Sequence, residues 1–82
     1  MESMLKRQHH PGITLGTELR ERRVSLEDFS KETGIAYYRV WNFINGKRKL
    51  TLKEIDRVAI FIGNSPNFWR NLQRNYYSKD KG

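Results

Sequence analysis

The stretch SLEDFSKETGIAYYRVWNFING, residues 25–46, decides the fold, because it holds two short helical patterns with a glycine between them. Ser25 precedes Leu26 and Phe29, with Asp28 three residues after it, which fits a hydroxyl N-cap opening a two-turn helix. Gly34 ends that helix, since glycine takes up the left-handed conformation that closes one without a steric clash. The apolar pattern restarts with Ala36, Val40, Phe43 and Ile44 on one face, until Asn45 and Gly46 stop it. Two short helices therefore meet across a tight turn.

Working outward, Leu15 and Leu19 form an i, i+4 pair that reads as an earlier helix, weakened by Gly16 and ending among Arg20, Arg22 and Arg23. Residues 1–12, closed by His10, Pro11 and Gly12, read as a flexible arm. On the other side, Thr51 with Glu54 has capping-box spacing, and Ile55, Val58, Ala59 and Ile62 follow before Gly63. Ser65 and Pro66 then supply a cap and a first-turn proline ahead of Phe68, Trp69, Leu72 and Tyr76. Lys49 to Leu52 could pass as a short strand, but no run alternates with period two for long enough to establish one. The expectation is an all-α domain of five helices over residues 13–77, with 78–82 a disordered tail.

Eighty-two residues make one modest domain. With no cysteine there is no disulfide framework, thiolate zinc site or thiol nucleophile, which suits a reducing compartment, and the cytoplasm is the expected location. No segment approaches the roughly 18 apolar residues of a membrane span. Sixteen Lys and Arg against nine Asp and Glu give a formal charge of +7 and point to a polyanionic partner. Charge alone does not choose between nucleic acid and membrane, but its distribution is informative. Thr33 to Lys53 carries five basic residues and no acid, whereas Glu18 to Glu32 holds five acids.

A short helix, a glycine turn and a second short helix form the helix-turn-helix pattern, whose second helix enters the DNA major groove. Residues 25–46 resemble the phage-repressor and Cro-like helix-turn-helix family, including the small Ala36 and the Asn-Gly that closes the third helix. HPG at 10–12, NGKRKLT at 45–51 and IGNSPNFWRNLQRNYY at 62–77 further resemble the HigA antitoxin branch, also labelled virulence-associated protein I. That resemblance implies a five-helix bundle of the lambda-repressor-like type, a homodimer on double-stranded operator DNA, and autoregulation. It also implies neutralisation of a HigB-like, ribosome-dependent mRNA-cleaving toxin. Four positions depart from the family pattern: Arg22 and Arg23 replace an apolar residue and a glycine, Ala36 a capping Ser or Thr, and Trp41 a small polar residue.

On the third helix, at about 100° per residue, Tyr38 and Asn42 point away from Val40 and Phe43, with Tyr37, Arg39 and Trp41 beside them. Tyr37, Tyr38, Arg39 and Asn42 are the expected base-reading set, since arginine and asparagine suit the edges of guanine and adenine. Trp41 has two readings, on the DNA face or packed between helices. Lys47, Arg48 and Lys49, together with Asn45 and Ser25, are the expected phosphate contacts. If a basic toxin binds, the acids Glu21, Glu27, Asp28 and Glu32 are its expected complementary face. Trp69 and Tyr76, or Ile60 and Phe61, are candidate dimer surfaces.

His9 and His10 are adjacent rather than one turn apart, so no metal site is expected, and no cofactor either. No Ser-His-Asp grouping or glycine-rich phosphate loop is present, so the chain reads as a non-enzyme. Two rival readings remain: a stand-alone or phage-borne regulator without a toxin, and a partner-binding module that no longer reads DNA.

Overall fold

The computed structural model describes residues 10–78, and among them there are five helices and no strand. These are α1 (Pro11–Arg22), α2 (Leu26–Thr33), α3 (Tyr37–Ile44), α4 (Leu52–Ile62) and α5 (Pro66–Ser78). Residues 1–9 and 79–82, most of the expected arm and tail, lie outside the described residues.

Local chemistry sets most of the boundaries. The Ser25 hydroxyl accepts from the Asp28 amide at 3.0 Å to open α2, and Gly34 closes it at φ 78°. Thr51 and Glu54 form the full reciprocal capping box at the start of α4. The Ser65 hydroxyl accepts from the Phe68 amide at 3.3 Å at the start of α5. Ala36 is the N-cap of α3 and makes no side-chain hydrogen bond there. It is exposed, so the apolar contact expected of it comes instead from Ile35, which is buried.

The start of α1 differs from the sequence expectation. The helix begins at Pro11, and His10, Pro11 and Gly12 are buried rather than part of a mobile arm. The cause is His10: its Nδ1 accepts the Gly12 amide at 2.9 Å and so caps the helix. Its ring packs edge-on against Phe43, Tyr76 and Tyr77, and Nε2 meets the Tyr77 hydroxyl at 2.9 Å. With Nδ1 accepting, the neutral ring carries its proton on Nε2, which donates to Tyr77. Burial lowers the His10 pKa, against a smaller opposing effect of a hydrogen bond to the Arg48 backbone.

Helix α1 lies so close to α3 that a methyl group on Gly12 would overlap the Phe43 carbonyl, while one on Gly16 would press on the Ile44 side chain. The glycine that weakens α1 as an isolated helix is thus one of two, a turn apart, that let it dock. At the far end of α1, Arg23 stands in the left-handed region (φ 59°, ψ 41°), which glycine enters without steric cost. Arg22 reaches the Ile62 carbonyl at 2.9 Å and satisfies an acceptor at the end of α4.

The core joins Leu15, Leu19, Phe29, Ile35, Val40, Phe43, Leu50, Ile55, Val58, Ala59, Ile62 and Trp69. Trp69 is 1 % exposed, with its indole N–H on Asn64 at 2.8 Å, and is therefore not available as a dimer surface. Between α3 and α4 the chain runs irregularly, and the Gln73 side chain clasps both backbone groups of Leu50, at 2.5 and 3.2 Å. That clasp from α5 replaces the strand pairing that Lys49 to Leu52 could have suggested. It also fixes the loop carrying Lys47, Arg48 and Lys49.

Candidate nucleic-acid interface

Helix α3 turns Val40 and Phe43 into the core and leaves Tyr37, Tyr38 and Trp41 exposed, Tyr38 the most at 64 %. Large aromatic rings left in water on one helix, with none of them needed by the core, make a contact surface rather than a packing surface. Trp41 is 42 % exposed, which removes the reading that packs it between helices. Asn42, one turn on from Tyr38 and on the same face, is half-buried. The Asn45 amide donates to the Trp41 carbonyl at 2.8 Å, so Asn45 finishes the helix as well as lying beside the loop.

Arg39 is held differently from its expected neighbours. Its Nε donates to Glu54 Oε2 at 2.7 Å, which ties α3 to the start of α4. Glu54 Oε1 takes the Thr51 amide at 2.9 Å and Arg48 Nη1 at 3.3 Å. One nearly buried carboxylate therefore joins α3, the basic loop and the cap of α4. Burial alone would raise the Glu54 pKa, but the Thr51 amide and the two guanidiniums together hold it below the ordinary carboxylate value. Arg39 is correspondingly raised, chiefly by its hydrogen bond to Glu54 and the attraction between their charges. Sequence spacing found Glu54 as a cap, but its two arginine partners are 15 and 6 residues away and only the fold brings them to it.

The three loop cations have separate settings. Lys47 is exposed, Arg48 is half-buried on Glu54, and the Lys49 ammonium lies 5.3 Å from the centre of the Tyr77 ring. Ser25, at the α2 N-terminus, is exposed and already bonded to Asp28. The acids Glu21, Glu27, Asp28 and Glu32 are all exposed on α1 and α2. Glu27 and Asp28 also occupy the first turn of α2, where negative charge complements the helix dipole.

No protein-family model matches the chain. A solved structure of an addiction module antidote protein of the HigA family from Coxiella burnetii superposes with a TM-score of 0.83 and 38 % identity. That match covers 89 % of this chain and 80 % of the other. The chain belongs to the helix-turn-helix antitoxin family. A second member of that structural group, described as an antidote protein of a plasmid maintenance system from Nostoc punctiforme, matches at TM-score 0.84 and 27 % identity. It covers 92 % of this chain and 86 % of its own. By sequence, the uncharacterised HTH-type transcriptional regulator YddM of Escherichia coli strain K12 is 34 % identical over 71 residues, 84 % of this chain and 76 % of YddM. Antidote proteins and an HTH-type transcriptional regulator thus stand together among the proteins this chain is similar to. No helix among the described residues is long and apolar enough to cross a membrane.

Proposed function

We propose that this protein is a HigA-type antitoxin that binds its own operator as a cytoplasmic homodimer and neutralises a HigB-like, ribosome-dependent mRNA-cleaving toxin. The observation that carries the DNA half of this reading is α3, whose aromatic and amide face is uncovered directly beside a basic loop clamped in place by Gln73. Tyr37, Tyr38, Arg39 and Asn42 would meet base edges, with Trp41 added to that set by its exposure. Lys47, Arg48 and Lys49, with Asn45 and Ser25, would meet phosphates.

A dimer follows from the DNA reading, because one short helix covers few base pairs and two-fold operators suit two-fold proteins. Its surface would include Ile60, which is 80 % exposed beside the half-buried Phe61. The toxin would meet the acidic face around Glu21, Glu27, Asp28 and Glu32, leaving α3 for DNA. The formal charge of +7 favours a second reading, a stand-alone regulator, because like charges repel across an interface with a basic toxin.

Two assays separate these readings. Selection of duplexes from a random pool tests operator recognition, and co-expression with the neighbouring gene product tests rescue from growth arrest. Enrichment of one sequence with rescue supports the antitoxin, enrichment without rescue supports the stand-alone regulator, and no enrichment contradicts both.

A further inference from the structure

We propose that Glu54 is a positioning residue of the DNA interface, aiming Arg39 at a base edge and Arg48 at the adjoining backbone from a single carboxylate. The inference rests on the DNA reading above and names a residue that reading does not contain. A capping box needs only the exchange between Thr51 and Glu54, at 2.9 and 3.2 Å here. The two arginines are additional, and they come from the two parts of the interface that must act together: α3 and the loop after it.

The chemistry of the contact favours aiming over simple anchoring. Glu54 engages Arg39 through Nε, a contact that uses neither terminal nitrogen, and Tyr38 is the further hydrogen-bonding neighbour that the guanidinium would exchange for O6 and N7 of guanine. A guanidinium held at one end by a carboxylate has few remaining orientations, so its fork is set before DNA arrives. Glu54 is itself 8 % exposed and faced by two cations, so its negative charge is shielded from the phosphates. Without that charge both arginines would be released to any nearby phosphate, giving tighter binding to all sequences and poorer choice among them.

Glu54→Gln tests this cleanly, because glutamine also completes a capping box while lacking the charge. Wild type, Arg39→Ala, Glu54→Gln and the double variant are each used to select duplexes from a random pool. Their affinities for the selected and a scrambled duplex are then measured across a salt series, with thermal melts to confirm folding. The expected result is that Arg39→Ala erases a guanine preference in each half-site and Glu54→Gln reduces the same preference by roughly tenfold, within the range of one bidentate contact. The double variant should lose nothing further at that position, and Glu54→Gln should bind scrambled DNA more tightly than wild type. Retention of the guanine preference by Glu54→Gln, while Arg39→Ala loses it, would reduce Glu54 to a helix cap and overturn the inference. Equal weakening on both duplexes with a lowered melting temperature would do the same. A wild-type protein that selects no sequence would overturn the DNA reading and this inference with it.

Discussion

Trp41 and Arg23 are predicted to divide between function and stability. Trp41 lies on the surface of α3, so Trp41→Ala should leave stability within about 0.5 kcal/mol of wild type, as exposed positions generally do. Operator affinity should nevertheless fall, and a melt alongside a binding isotherm checks both. Arg23 is the reverse case: its left-handed backbone has a cost that glycine does not bear. Arg23→Gly should stabilise the fold by about 1 kcal/mol, a rise of roughly 4–8 °C in Tm for a domain of this size. At this scale the sequence was legible wherever periodicity alone fixes direction, as for Tyr38 opposite Val40 and Phe43. It was not legible for Arg39, whose direction is set by a carboxylate on another helix.

At the scale of elements, the helix ends were readable because capping is local. Ser25 with Asp28, Gly34, Thr51 with Glu54, Gly63, and Ser65 ahead of Pro66 all act within a few residues of themselves. The start of α1 escaped that logic, because a histidine caps it only when Phe43, Tyr76 and Tyr77 hold the ring from distant parts of the chain. The docking of α1 on α3 gives a paired prediction. Gly12→Ala forces a methyl into the backbone of Phe43 and should destabilise by about 1–3 kcal/mol or more, the usual range for overpacking. Gly16→Ala meets only a side-chain methyl of Ile44, at 3.3 Å, and gains helix propensity, so it should change stability by less than about 1 kcal/mol. Denaturant melts of the two variants measure the contrast.

For the whole molecule, stability should fall on acidification in two stages. His10 has a folded-state pKa below the ordinary histidine value of about 6.5, so the unfolded chain takes up its proton first. The stabilisation from neutral His10 is therefore complete above that value and is lost as pH falls below it, when the protonated Nδ1 can no longer accept the Gly12 amide. Glu54, also lowered, gives a second loss in the acid range, through its own folded-state pKa. Melting temperature followed from neutral to acid pH should show both stages, and His10→Gln should remove the first. The pH dependence belongs to the fold, whereas the proposed function rests on the exposed face of α3. Its most direct test is the affinity of Tyr38→Ala and Asn42→Ala for the selected operator and for scrambled DNA, with folding confirmed by melting. Each variant should lose on the order of 1–3 kcal/mol on the operator and almost nothing on scrambled DNA. Operator binding equal to wild type in both variants would contradict α3 as the reading head.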